Sequence, residues 1–225
     1  MNNHSTPDRG RSADADGFRS ARQQMVITQL QQRGIEDPRV LDAMRSVPRH
    51  LFVPSALRAA AYEDRPLEIG LGQTISQPFT VAFMAQAARL SGHEKVLEIG
   101  TGSGYGAAVL AHLAACVPSV ERLPALAQNA KRQLAQLGYK NVSVHQGDGT
   151  LGLPAESPFD AILVTAGAPW LPDAYADQLV DGGRLIIPVD QLPHQQAMYC
   201  YQKLGDQFTQ HFLGNFMFVP LIPHA

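Results

Sequence analysis

Cysteine is scarce in this chain. Only Cys116 and Cys200 occur among its 225 residues, far apart and outside any metal-ligand spacing. Both stand in apolar surroundings, so they read as buried thiols of a reducing compartment rather than as a disulfide. Long apolar runs are absent too, and no stretch reaches the length of a bilayer span. The polar segment from Met1 to Gly17 lacks the apolar centre of a secretory leader. Its Asn, Ser, Asp, Arg and Gly content predicts a disordered tail, with a single domain over 18–225. An excess of one charge sign is also missing. The formal net charge of -2 favours neither nucleic acid nor an anionic membrane as a partner. The eight histidines are dispersed, with no H-x-x-x-H pair, and the chain carries no G-x-S-x-G elbow and no Walker loop. These absences argue against metal-dependent and serine-hydrolase mechanisms, and no metal site is expected. A cytoplasmic enzyme is the simplest reading.

What the chain does have is a strand that breaks into glycine. In Lys95-Val96-Leu97-Glu98-Ile99-Gly100-Thr101-Gly102-Ser103-Gly104-Tyr105-Gly106, an apolar run ends on an acid and turns into a loop with glycine at alternate positions. Alanine-rich, helix-forming sequence follows. Such a turn offers bare backbone N–H groups to a ligand, and the glycines let it approach closely. An adenosine-containing cofactor fits this pattern. So does a tight strand-to-helix turn with no ligand, and Gly102-Ser103-Gly104-Tyr105-Gly106-Ala107 also satisfies the dinucleotide pattern G-x-G-x-x-A.

Around this loop the pattern alternates. Strands are predicted over 95–99, 119–121, 142–146, 160–165 and 184–188, with helices over 105–115, 123–137 and 172–179 between them. This rhythm predicts an α/β fold, a doubly wound and mainly parallel Rossmann-like sheet. Ahead of it lies a helical extension. One helix ends near Gly34, a second starts at Asp37-Pro38 and stops before Pro48, and a short third runs over 55–62. Gly70 to Pro78 reads as a polar loop before a helix over 79–90. At the other end, polar–apolar alternation over 196–204 and 207–213 flanks Gly205-Asp206, a hairpin signal that predicts antiparallel C-terminal strands.

Two more acids fall at strand ends. Glu121 lies about 20 residues beyond the loop, where a carboxylate accepts from ribose hydroxyls, or else is a solvated strand-end charge. Asp148, in Gly147-Asp148-Gly149, could accept from an adenine amino group, or serve only as a turn residue. Glu98, just inside the loop, would repel a pyrophosphate but not a cationic sulfonium. By Coulomb sign it favours S-adenosylmethionine over NAD, unless it merely caps loop amides. The loop Gln73-Thr74-Ile75-Ser76-Gln77-Pro78 admits two readings equally: Ser76 or Thr80 as a cap for the next helix, or a functional loop.

Taken with Arg49-His50-Leu51-Phe52-Val53-Pro54, Ala61-Tyr62-Glu63-Asp64, Val120-Glu121-Arg122, Pro158-Phe159-Asp160, Gly182-Gly183-Arg184-Leu185 and Phe218-Val219-Pro220-Leu221, these motifs resemble those of the protein-L-isoaspartate O-methyltransferases. Gly72 to Pro78 is the most family-specific stretch, and the resemblance runs from Met25 to Leu221. It implies methyl transfer from S-adenosyl-L-methionine, leaving S-adenosyl-L-homocysteine. The acceptor is the free α-carboxylate of L-isoaspartyl residues, and of D-aspartyl residues in some members. The ester then closes to a succinimide that hydrolyses partly to aspartate. The implied partners are damaged isoaspartyl-containing proteins and peptides, with the chain as a monomer. By the same resemblance Ser76 matches the active-site serine, and Thr74 and Ile75 shape the substrate pocket. Gly100, Gly102 and Gly104, with Thr101 and Ser103, match the cofactor loop. Glu121 matches the ribose ligand, and Asp148 and Gly149 the adenine edge.

The chain departs from the family pattern at four places. Gly106 stands where glutamine is common, Gly167 for a usual alanine, Asp190 for a common glycine, and Met217 where arginine often stands. Other readings remain: a methyltransferase for a small molecule or nucleic acid, an NAD-dependent oxidoreductase, or a cofactor-binding scaffold without transfer. Thr165-Ala166-Gly167-Ala168-Pro169 occupies the place of the Asn/Asp-Pro-Pro-aromatic motif of amino-directed nucleic-acid enzymes, which weighs against the nucleic-acid substrate.

Overall fold

A computed structural model describes residues 17–192 and 195–223. The tail expected over Met1 to Gly17 therefore lies, but for Gly17, outside the described residues. The helical extension begins with α1 (Arg19–Met25), continues through one π turn (Val26–Leu30) and a 3-10 turn (Gln31–Arg33), and ends at Gly34 with φ 89°. Helix α2 (Pro38–Ser46) starts where the sequence predicts. The Asp37 carboxylate accepts from the backbone N–H of Arg39 at 2.8 Å and of Val40 at 3.5 Å, and Pro38 supplies a first turn that needs no donor. A 3-10 turn over Ser55–Ala60 replaces the third helix predicted over 55–62, and another 3-10 turn forms just ahead of it over Arg49–Phe52.

The predicted loop before the next helix is partly a strand pair. β1 (Leu67–Gly70) and β2 (Gln73–Ile75) form an antiparallel hairpin, with Leu67 opposite Ile75 and Glu68 opposite Thr74. Its turn holds Leu71 at φ 55° between Gly70 and Gly72, both also at positive φ. A two-residue turn so dominated by glycine hides the short strands from a periodicity argument. Helix α3 (Pro78–Ala87) follows.

The main sheet has seven strands in the order β5-β4-β3-β6-β7-β8-β9. These are β3 (Val96–Ile99), β4 (Val117–Glu121), β5 (Val142–Gln146), β6 (Phe159–Val164), β7 (Leu179–Leu192), β8 (Gln195–Leu204) and β9 (Gln207–Phe216). The pairs from β5 to β7 are parallel, and β7-β8 and β8-β9 are antiparallel. Helices α4 (Tyr105–Leu110), α5 (Pro124–Gln136) and α6 (Ala174–Gln178) form the connections. Chain order reverses between β3, whose next strand lies on one side, and β6 on the other; their carboxyl ends frame the crevice where such sheets bind ligands.

Strand alternation sorts the core into two faces. Leu97, Ile99, Ile162, Val164, Leu185 and Ile187 pack with Tyr175 on one face. Val96, Ala161, Leu163 and Ile186 pack on the other against the helical extension, α3 and α4. Glu98 shares this second face, a carboxyl group among apolar neighbours. Cys116 and Cys200 are both free thiols and half-buried, less enclosed than their apolar flanks predict. Among the described residues no helix is long and apolar enough to cross a membrane.

Because α2 depends on Asp37 for its first amides, Asp37→Ala is expected to lower unfolding free energy by about 1 kcal/mol, with Asp37→Asn retaining most of it. Denaturant titration of the two variants checks this.

Candidate active site

Two cavities meet at the carboxyl end of the sheet. The first is a cleft lined by Ile99, Gly100 and Gly102 from β3 and its loop, by Val120, Glu121 and Arg122 after β4, by Gly149, and by Thr165 and Ala166 after β6. Gln73 and Thr74 of β2 close one end, and Val219 to Ile222 close another. The second cavity is lined by Thr74, Ser76, Gln77, Phe79, Thr165 and the segment Asn215 to Val219, with Arg33 at its edge. Thr74, Thr165 and Val219 belong to both.

The glycine loop follows from a close approach. Gly100 has φ 96°, and a Cβ there would lie 2.4 Å from Thr165 Oγ1. That hydroxyl donates to Gly100 O at 2.8 Å and reaches Ile99 O at 3.0 Å. Gly104, at φ 89°, caps α4, whose first residue Tyr105 is buried. Thr165 lines both cavities, and the sequence reading did not single it out as a site residue. A threonine closing an apolar strand carries no pattern, and its role exists only because β6 lies beside β3.

The acids divide differently from expectation. Glu121 lines the cleft and is nearly buried, at 7% exposure, so it is not a solvated strand-end charge. Its two oxygens accept from Gly102 N–H at 2.8 Å and Leu123 N–H at 2.9 Å. It is Glu121, not Glu98, that ties down loop amides and gives the cleft a carboxylate. Glu98 does not line the cleft at all. It lies beneath the loop at 1% exposure, accepting from Ser119 Oγ at 2.6 Å, and Ser119 in turn shares a 2.6 Å hydrogen bond with Thr101 Oγ1. Burial pushes the Glu98 carboxyl up to about 8, against the hydrogen bond from Ser119 and with help from the charge of Glu121. At neutral pH it is mainly protonated, so the Coulomb argument that rested on it belongs to Glu121. Gly106 makes room for this carboxyl, since a Cβ there would come within 2.2 Å of Glu98 Oε1.

Asp148 takes up the turn role. Its Oδ1 accepts from Thr150 N–H at 2.9 Å and Thr150 Oγ1 at 2.6 Å, which presents Gly149 to the cleft. Tyr175 Oη donates to Gly149 O at 2.8 Å from behind. Asp148, Ser103, Thr101 and Gly104 do not line the cleft themselves; they shape the loops that do.

The two readings of the loop before α3 also separate. The helix N-cap is Gln77, with no side-chain cap, and Pro78 stands at the first helical position. Neither Ser76 nor Thr80 caps it. The Ser76 side chain is half-buried and faces the second cavity. It also borders a small, mostly apolar cavity that reaches Glu98 and Gly106. Ile75 is buried beneath, so it supports the hairpin rather than lining a cavity.

The family model for protein-L-isoaspartate(D-aspartate) O-methyltransferase matches residues 21–225. The chain is 56% identical over 206 residues to protein-L-isoaspartate O-methyltransferase 1 of Syntrophobacter fumaroxidans, covering 91% of this chain and 95% of that protein. It is 53% identical over 209 residues to the protein-L-isoaspartate O-methyltransferase of Methanoculleus marisnigri, covering 93% and 94%. Among solved structures, one of a protein-L-isoaspartate O-methyltransferase superposes with a TM-score of 0.79 at 31% identity, over 88% of this chain and 65% of that one. A second, of a Plasmodium falciparum protein in complex with S-adenosyl-L-homocysteine, shares the fold with a TM-score of 0.78 at 24% identity, over 89% and 98%.

Two outcomes follow from the geometry. Gly100→Ala forces a side chain onto Thr165 Oγ1 at a backbone angle that disfavours it, so binding of S-adenosylhomocysteine should fall by at least about tenfold in calorimetry, roughly 1.4 kcal/mol. For Glu98, the folded-state value of about 8 stands above the ordinary 4.5, so the folded chain holds this proton more tightly than the unfolded one. Its contribution is fully present below pH 4.5 and is lost as pH rises toward 8, at a rate approaching roughly 1.4 kcal/mol per unit. Denaturant melts across that range should show a flatter pH dependence for Glu98→Gln than for the parent chain.

Proposed function

The chain belongs to the protein-L-isoaspartate O-methyltransferase family of repair enzymes. On that premise, we propose that its cleft takes S-adenosylmethionine and the adjoining cavity takes an isoaspartyl residue of a damaged protein. The observation that carries this assignment is the Ser76 hydroxyl, released from helix capping and facing the cavity that shares Thr74, Thr165 and Val219 with the cleft. A cytoplasmic setting goes with this reading.

The cleft suits the nucleoside. Glu121 brings two acceptor oxygens to it, matching a ribose diol. Gly100 and Gly102 leave the loop backbone bare on one side. Gly149, where a Cβ would come within 2.6 Å of Ile99 Cγ2, leaves a flat surface for the base. Gly100, Gly102, Glu121 and Gly149 are the residues that would hold the group directly, with Thr101, Ser103, Gly104 and Asp148 fixing their loops. The buried Glu98 braces the loop through Ser119 and Thr101.

When bound, S-adenosylmethionine supplies a methyl group activated by its sulfonium, so that a carboxylate oxygen gains the O–CH3 bond as the S–CH3 bond breaks and S-adenosylhomocysteine departs. The protein's part is mainly positional. A carboxylate with a pKa of about 4 is already ionised at neutral pH, so no side chain need remove a proton. Ser76 Oγ donates a hydrogen bond to the acceptor carboxylate and fixes which oxygen faces the cleft. Thr74 walls the passage between the cavities. Val219 to Ile222 cover the cleft and exclude the water that would compete for solvation of the carboxylate.

Losing one charge-assisted hydrogen bond is worth about 10–100-fold. Ser76→Ala should therefore lower kcat on an isoaspartyl peptide by that amount while S-adenosylhomocysteine affinity stays within about twofold. Turnover equal to the parent chain, or transfer to the normal aspartyl peptide as well, would count against the assignment.

A further inference from the structure

The segment that follows β9 is a wall of both cavities. Phe216 to Val219 face the one, and Val219 to Ile222 the other. Beyond Phe216 it belongs to no strand, only an isolated bridge from Pro220 to Gly167. Outside the ladder its backbone is held by a few hydrogen bonds, and one of them comes from a buried side chain. Gln196, at the start of β8, is 6% exposed. Its Oε1 accepts from Phe218 N–H at 2.8 Å, and its Nε2 donates to Asp190 Oδ1 at 3.0 Å. The amide lies over Gly167, where a Cβ would stand 3.0 Å from its Cγ, Cδ and Nε2. Gly167 holds the same segment by its backbone: its N–H donates to Val219 O at 2.8 Å and its carbonyl accepts from Leu221 N–H at 2.6 Å. Gln196 itself lines neither cavity.

We infer that Gln196 is a positioning residue of the transfer reaction. Seated on Gly167 and oriented by Asp190, it sets the path of the 216–222 segment and so couples the shape of the peptide cavity to that of the nucleoside cleft. This deepens the assignment of those two cavities made above and rests on it. The chemistry asks for an amide of this length. One end must accept from Phe218 N–H while the other donates to a carboxylate. A glutamate would set a second carboxylate beside Asp190 and lose the donor. A leucine would fill the space and leave the Phe218 N–H without its partner. The same arrangement accounts for two departures of this chain from the family pattern: Gly167 clears the floor under Gln196, and Asp190 supplies its acceptor.

The test compares Gln196→Leu and Gly167→Ala with a control on the same strand, Gln202→Leu. Among the described residues the Gln202 side chain donates to Gly182 O, at 3.4 Å, and to no part of the 216–222 segment, and it lines neither cavity. The readouts are KM for an isoaspartyl peptide, kcat, Kd for S-adenosylhomocysteine, and hydrogen exchange of the Phe218 amide. Gln196→Leu should raise both KM and Kd on the order of tenfold, the equivalent of one hydrogen bond, with a smaller change in kcat. Exchange at Phe218 should quicken by a similar factor, while Gln202→Leu leaves all four values near those of the parent. Gly167→Ala keeps every hydrogen-bonding group and only displaces the amide, so it carries the same test if the leucine variant does not fold. A fall in melting temperature with KM, Kd and Phe218 exchange unchanged would overturn the inference. If the parent chain transfers no methyl group to the peptide, the functional assignment fails by itself. Phe218 exchange and S-adenosylhomocysteine affinity then still decide the role of Gln196.

Discussion

Everything at the site depends on how closely the ends of β3 and β6 approach. Thr165 Oγ1 lies within hydrogen-bonding distance of the carbonyls of Ile99 and Gly100, in space that any side chain on Gly100 would occupy. The contact extends the pairing of the two strands beyond the ladder, at the point where chain order reverses. It also places one residue, Thr165, on the boundary between the cavities. The glycine is needed because of the threonine, and the threonine matters because of the sheet order.

Beneath that contact the loop is braced from the core rather than by solvent. Glu98, Ser119 and Thr101 form a buried polar chain, and the cost of hiding a carboxyl group is lowered by keeping it protonated. Above it, Glu121 ties the loop through Gly102 and Leu123. Two acids of similar sequence appearance thus serve opposite ends of the same turn, one neutral and inside, the other at the cleft wall. Gly106, beside Glu98 Oε1, leaves the space this carboxyl takes, a neighbour that only the fold supplies.

The elements were largely legible from residue pattern. Val142 to Gln146 is a strand with the predicted bounds, and β3, α3 and α5 begin and end within a few residues of expectation. The misses have local causes. The β1-β2 hairpin is too short for its alternation to register against three flanking positions of positive φ. Helix α4 stops at Leu110, although its alanine-rich sequence continues, because the chain must turn to bring Cys116 beside Lys95 for β4. Strand β7 runs on to Leu192 through irregular pairing, since the long β8 is there to pair with it.

By itself the sequence determined the alternation of strands and helices, the glycine turn and the acids at strand ends. Each of these is written in a few consecutive residues, through strand period, helix capping and the conformational freedom of glycine. Tertiary structure decided which acid faces the cleft, that Ser76 is free of capping, that Thr165 joins the two cavities, and that Gln196 holds the wall they share. These roles join residues separated by tens of positions, and their energies come from burial and approach distances of a few ångströms. No local pattern encodes such distances before the sheet has brought the segments together.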